Sequence, residues 1–469
     1  MPHDIALLRN VYNIGIAMLL AEILNDLNPG WRDRSARLAV GLHFRRPVHA
    51  SLLRHLTGSG RRAAVLLGPR QVGKTTLLFQ LVDDLIEGVG VPAANITYFD
   101  FSDERLPAEG LSPRDVVMFD PPGVQRDKPR FFLFDEISRG NRWGDWLKHA
   151  VDARRGRFLI TDSAATLLRE GGRESGLGRW DEYRLEALSF GEFLGVQARP
   201  HESGIDTLAR LPTSFERYLT LGGRPEFVYA ESLSEAHRRI RADTVDRAIV
   251  RDLIRSGADV ERVRDLFVYL VSDSGAIFDA ATRTRFFQRL GGSPADRRSL
   301  EKWIGLLEET MLIARADVFA RSSTGRLAGR SYPKLYASDH ALVVAFSGLA
   351  EPLQDGAVRG RCFEAVVFRH LRENATQREL SVSYIRDADG RSEVDFVLHS
   401  GSQIRALIEV TSSKDPQKKV DQLAAIAARL KPDHCIVVHG GLESRKSGDV
   451  WLAPAESFLL APHDWIGGT

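Results

Sequence analysis

The chain has 469 residues, of which 43% are hydrophobic and 27% charged, the balance of a folded protein with room for two to four domains. With 64 Lys and Arg against 62 Asp and Glu the net charge is +2, which excludes a global electrostatic footprint for nucleic acid, so any such binding must come from a local patch. The two cysteines, Cys362 and Cys435, lie in no CxxC or Cys/His cluster, so reduced thiols and no zinc site are expected.

Residues 1–60 read as helices and linker, broken at Asn28-Pro29-Gly30. The apolar run from Ile5 to Leu24 contains Arg9, Asn10, Asn13 and Glu22, which rule out a spanning segment and a signal peptide. An amphipathic helix packed on the body or on a partner is the better reading, with a cytoplasmic protein and no membrane partner expected.

From Ala63 the pattern alternates apolar strands with amphipathic helices, which argues for an α/β protein with a parallel sheet. The run Ala63-Ala64-Val65-Leu66-Leu67 reads as a buried strand. It leads into Gly68-Pro69-Arg70-Gln71-Val72-Gly73-Lys74-Thr75-Thr76, and then into a helix that Gly88 and Gly90 stop. Strand, Gly-rich turn and helix in this order make a phosphate-binding loop of Walker A type. Backbone N–H groups at residues 68–76 are expected to cradle the phosphates of ATP, Lys74 to reach the β and γ phosphates, and Thr75 to hold Mg²⁺.

A second strand, Ile96–Phe101, precedes Arg130-Phe131-Phe132-Leu133-Phe134-Asp135-Glu136. Four apolar residues ending in two acids, about sixty residues after the loop, form a Walker B pattern. Asp135 is expected to hold Mg²⁺ and Glu136 to act as general base on the attacking water. The next strand, Arg157–Ser163, brings Thr161 or Ser163 to the γ-phosphate, or caps the helix that follows. The Gly- and Arg-rich loop from Gly171 to Arg179 has the composition to place a cationic finger on a phosphate.

The segments GPRQVGKTT, FLFDE, ITDSAATLL, GLGRWDEYRLEALSFGEFL and LGGRPEFV resemble, in that order, a group of prokaryotic AAA+-type ATPases with a winged-helix segment and a C-terminal nuclease-like domain. The resemblance runs from about Phe44 to Val438. It implies a sensor or trans-acting role for Arg179, acting in cis or in trans. Where the group has Gly in a Thr-Gly-Ser, this chain has Asp162, an acid that is unfavourable beside a γ-phosphate if it faces inward.

Three helical patterns, Val263–Val271, Thr282–Leu290 and Arg297–Met311, then a β-run from Leu312 have the layout of a winged helix. Its third helix, with Arg297, Arg298 and Lys302, either enters a double-stranded DNA groove or packs as an oligomer module; Glu301, Glu308 and Glu309 dilute its charge. Lys334-Leu335-Tyr336 opens the last domain. There a helix with Glu364, a hairpin with Asp395 and a strand with Glu409 resemble the PD-(D/E)xK nuclease fold, whose acids hold Mg²⁺ as a second metal site. Thr411 stands where that fold has its lysine, leaving Lys414 or Lys418 as spatial substitutes.

The expected architecture is therefore α/β: an N-terminal helical extension (1–45), a P-loop core (46–200), a helical and winged-helix-like middle (201–330) and a nuclease-like α/β tail (331–469). The expected activity is Mg²⁺-dependent ATP hydrolysis coupled to a nucleic-acid or assembly event, with a homo-oligomer or protein partner. Its rivals are a nucleotide-switched interaction module and an ATP-driven DNA nuclease.

Overall fold

The computed structural model describes residues 2–33, 35–38, 43–107, 111–163, 178–198, 204–250, 259–289, 297–319, 332–386 and 393–467. The chain divides into two compact units, Met1–Glu186 and Ala187–Thr469.

The first unit is built on five parallel strands, β1 (Ala63–Leu67), β2 (Ile96–Asp100), β3 (Phe131–Asp135), β4 (Arg157–Asp162) and β5 (Trp180–Arg184), in the order β2-β3-β4-β1-β5. Alternate side chains of β1 enter opposite cores: Ala63, Val65 and Leu67 one, Ala64 and Leu66 the other. That two-sided burial is why the strand reads as a continuous apolar run. Helices α2 (Pro47–Thr57) and α3 (Lys74–Glu87) cover one face; α1 (Pro2–Leu27), α4 (Pro113–Met118) and α5 (Trp143–Asp152) cover the other.

The N-terminal segment is part of this unit rather than an extension. Leu20, Ile23 and Leu24 are buried in the sheet core. The Asn28 side-chain amide donates to the Tyr98 carbonyl (2.9 Å) and its oxygen accepts from the Tyr98 N–H (2.8 Å), while the Trp31 indole donates to the Ile96 carbonyl (2.8 Å). These side chains satisfy backbone groups along the edge strand β2, which would otherwise be open to pairing with another chain. Among the described residues no helix is long and apolar enough to cross a membrane.

In the second unit three helices, Val260–Ser272, Ala280–Arg289 and Arg297–Glu309, precede β6 (Ile313–Val318) and β7 (Lys334–Ala337), which pair antiparallel. The order of elements matches the sequence expectation, but the boundary at 330/331 does not. Beside β6 lies β8 (Ser381–Arg386), followed across the sheet by β9 (Glu393–Ser400), β10 (Gln403–Thr411), β11 (His434–His439), β13 (Val450–Pro454) and β12 (Arg445–Ser447). One mixed sheet therefore crosses the expected boundary, and one hydrophobic core extends from Leu188 to Ile466. The long helix Gly356–Gln377 packs on this sheet, with Phe368 stacked on Tyr336 (centroids 4.2 Å apart).

Candidate active site

The loop between β1 and α3 is shaped by two glycines for different reasons. A Cβ on Gly68 would lie 2.3 Å from the Leu185 carbonyl oxygen, so nothing larger fits beside β5. Gly73 has φ +96°, the left-handed region where a side chain is strained, and its carbonyl receives the Leu77 N–H (3.0 Å) to start α3. Gln71 also has positive φ (+65°), and Pro69 and Arg70 complete the turn. Val72 is buried and anchors the loop from below, where the buried Arg46 guanidinium donates to the carbonyls of Val72 (3.3 Å) and Glu186 (2.8 Å). In the sequence Arg45-Arg46-Pro47 gives no sign of this contact with a loop residue 26 positions downstream.

The Lys74 ammonium folds back onto the loop and donates to the carbonyls of Gly68 (2.8 Å) and Pro69 (3.1 Å). The adjacent Thr75 is exposed, and its hydroxyl donates to Asp135 Oδ2 (2.5 Å). The other oxygen of Asp135 accepts from the Thr161 hydroxyl, which in turn lies 3.4 Å from the Glu136 N–H as its acceptor. Burial pushes the Asp135 carboxyl up, and the Thr161 and Thr75 hydroxyls pull it back. Glu136 sits at φ +49°, so the backbone turns sharply where the strand ends. Lys74, Thr75, Asp135, Glu136 and Thr161 thus stand together at the C-terminal ends of β1, β3 and β4.

Of the two residues expected to approach the γ-phosphate, Thr161 joins this group. Ser163 lies against Asp162, to which it donates its backbone N–H (2.7 Å). Asp162 itself is fully buried and accepts the Ser138 N–H (2.6 Å), so it ties down the turn after β3. Burial first, then the charge of Glu136, pushes its carboxyl up to about 7, with Ser138 and Lys74 opposing. The acid at this position is thus a buried staple between β3 and β4.

Arg179 is elsewhere. Its carbonyl accepts the Ala63 N–H (3.0 Å) and its guanidinium pairs with Asp152 (3.1 Å), at the N-terminal ends of β1 and β5. In parallel strands that end is opposite the phosphate loop, five residues or roughly 16 Å away. The expectation that Arg179 senses phosphate within its own chain is corrected by this placement. Gly171 to Leu177 of the expected finger loop lie outside the described residues.

The second unit gathers Glu364, Asp395 and Glu409 as expected, but around lysines. Lys334, buried at the start of β7, donates to Glu393 (2.7 Å) and Glu364 (3.2 Å) and lies 3.6 Å from Asp395. The Tyr336 hydroxyl also donates to Glu364 (2.7 Å). Lys419, on the helix Gln417–Leu430, donates to Glu409 and lies 3.5 Å from Asp395. Lys414 and Lys418 are exposed, and the lysine that reaches these acids is their neighbour Lys419. Burial would raise Asp395, but Lys334, then Lys419, and the Val410 N–H (2.9 Å) hold it below the ordinary range. Burial and the Asp395 charge push Glu409 up to about 9, so this pair holds one proton between two carboxyls.

Among the described residues no group of three or more His, Cys, Asp or Glu could hold a metal ion. The three tail acids do not fit Mg²⁺ here, because ammonium groups stand among them. Lys334 and Tyr336, which in the sequence mark only the opening of a domain, are both partners of Glu364.

In the middle helix Arg297–Glu309, Lys302 is exposed, Arg298 is engaged within the chain, and Glu301 pairs with Arg283 (2.9 Å). The side chain of Arg297 lies outside the described residues.

Strand order β2-β3-β4-β1-β5, a Gly-rich loop after β1 and a carboxylate at the end of β3 define a P-loop ATPase fold in the first unit. The comparisons agree, since residues 60–194 match the family model described as an AAA domain. Residues 212–353 match a domain of unknown function (DUF8612), and residues 359–458 another (DUF4143). No curated protein matches.

Solved structures similar to the chain include a Walker-type ATPase of Pyrococcus abyssi, at 13% identity and TM-score 0.42, covering 68% of this chain and 100% of that one. The ORC2 protein of Aeropyrum pernix in ADPNP and ADP complexes has 14% identity and TM-score 0.38, with 75% and 98% covered. The ORC1 protein of the same organism in complex with DNA has 14% identity and TM-score 0.25, with 64% and 90% covered.

Proposed function

We propose that the first unit hydrolyses ATP with Mg²⁺ and that the second unit passes the nucleotide state to a nucleic-acid or assembly event. The observation that carries the reading is the chain of contacts Thr75–Asp135–Thr161–Glu136 beside Lys74. A hydroxyl and a carboxylate 2.5 Å apart are hard oxygen donors of the kind Mg²⁺ takes, so Thr75 and Asp135 fit the ion. Mg²⁺, when bound, supplies charge that offsets the negative charge of the phosphates.

Lys74 exchanges the Gly68 and Pro69 carbonyls for the β and γ phosphates, while the N–H groups of residues 68–76 surround them. Glu136, fixed by the turn at φ +49°, orients the attacking water and takes its proton. Thr161 holds Asp135 and the Glu136 backbone in one arrangement. Arg179, on the far end of the sheet, acts in this reading only on a site of a neighbouring copy.

The carrying test is steady-state ATP hydrolysis by the full chain with Mg²⁺, with and without single- and double-stranded DNA. Lys74→Ala is expected to abolish tight ATP binding, and unchanged affinity overturns the site. Glu136→Gln is expected to bind ATP and stop turning over; persistent turnover means another base acts. Stimulation by DNA supports a nucleic-acid role for the helix–hairpin segment read as a winged helix.

The lysine-filled acid cluster favours a second reading over the nuclease one: a nucleotide-switched assembly module with an inert tail. Such a protein turns over slowly and changes mass with nucleotide in light scattering; one mass in every nucleotide state argues against it.

A further inference from the structure

Helix α5 carries Asp145, Trp146 and His149 on one side, and Arg142, its N-cap residue at φ +54°, stands three residues before Asp145. Across from this side stand Arg114 of α4 and Arg155 of the turn before β4, and the space between is a groove of about 400 Å³. Arg114 and Arg155 are exposed and make no ion pair among the described residues. The one acid, Asp145, is already flanked by Lys148 (3.5 Å) and Arg142 (3.9 Å). Trp146 is half-buried against Phe158 and forms the groove wall, and exposed His149 follows it.

The chain as a whole is nearly neutral, so three guanidinium groups around one groove are a local excess of positive charge. They come from three separate elements and stay exposed along the groove rather than converging on one buried point, an arrangement that suits an extended polyanion better than a small molecule. A positive groove with an aromatic wall is what tracks the backbone of a nucleic-acid strand. We propose that this groove of the ATPase unit binds nucleic-acid phosphates through Arg114, Arg142 and Arg155. The inference gives the nucleic-acid partner of the preceding section a place on the first unit. It does not depend on the phosphate loop, so nucleotide-free protein and the Lys74→Ala variant keep the groove, and its failure is separable from failure of the ATPase reading.

The test is fluorescence anisotropy of a fluorescein-labelled 20-residue oligothymidylate with the full nucleotide-free chain at several salt concentrations. The wild-type protein is expected to bind with a log–log salt slope of about −2, three phosphates at roughly −0.7 each. The triple variant Arg114→Ala, Arg142→Ala, Arg155→Ala is expected to lose affinity about tenfold or more at low salt, with the slope near zero. The triple Lys replacement, which keeps the charge, is expected to restore most of the binding. Absence of wild-type binding, or equal affinity and slope in the Ala variant, overturns the proposal. Displacement of the oligonucleotide by millimolar inorganic phosphate as readily as by unlabelled strand also overturns it, in favour of a small-anion site. If the triple Ala variant fails to give a native thermal transition, the single variants Arg142→Ala and Arg155→Ala carry the same comparison, each expected to lower the slope by about 0.7.

Discussion

The Thr161 hydroxyl donates to the Asp135 carboxylate across neighbouring parallel strands, and through this bond the end of β4 sets the end of β3. The carboxylate is buried with a hydroxyl on each oxygen, so its orientation is fixed before any ligand arrives.

Thr161→Val keeps the shape and removes that donor. ATP affinity is expected to stay within about threefold, while turnover falls about 10–100-fold, the usual cost of losing a group that orients a metal ligand. Steady-state hydrolysis beside equilibrium nucleotide binding checks it; unchanged turnover makes Thr161 a packing residue only.

Asp162 gives the first unit a pH dependence. Its folded value of about 7 stands above the ordinary 3.8, so ionising it opposes the fold. Its contribution is full below about 4 and is lost as pH rises through about 7. The thermal transition that ATP shifts is expected to fall by a few degrees, on the order of 1 kcal/mol, between pH 6 and 8. Asp162→Asn is expected to flatten this slope. It also lowers the baseline by about 1–2 kcal/mol, because one amide oxygen cannot accept both the Ser138 and Ser163 N–H groups. A slope that survives the substitution assigns the titration elsewhere.

Lys334 joins the hairpin strand β7 to acids on a helix and on β9. Lys334→Met leaves Glu364, Glu393 and Asp395 without their buried cation and is expected to cost about 3–5 kcal/mol in urea unfolding of the second unit. An unchanged midpoint would falsify the cluster as a structural tie. In the wild-type chain, millimolar Mg²⁺ is expected to leave this transition where it is.

Glu409 titrates higher on the pH scale than Asp162, with the same sign. Raised to about 9, it contributes stability that is full below about 4.5 and is lost as pH rises through about 9. Glu409→Gln is expected to be nearly neutral near pH 4.5 and to remove the decline between about pH 5 and 9. The melting temperature against pH, for both proteins, decides it.

Local sequence by itself determined the phosphate loop, the strand that delivers Asp135 and Glu136, and the three helices and following strand of the middle segment. In each the signal is contiguous: two glycines at fixed offsets, a strand's apolar run ending in acids, or a helical period. Only the tertiary structure decided what lies between distant segments. It set Thr161 rather than Ser163 on Asp135, because strand register, not residue type, aims a hydroxyl. It placed Arg179 at the wrong end of the sheet for its own site, because parallel strands separate their two ends. It also put Lys334 and Lys419 among the tail acids, from a strand thirty residues before Glu364 and a helix ten residues after Glu409. Charge pairing of that kind is made by packing, and no spacing along the chain records it.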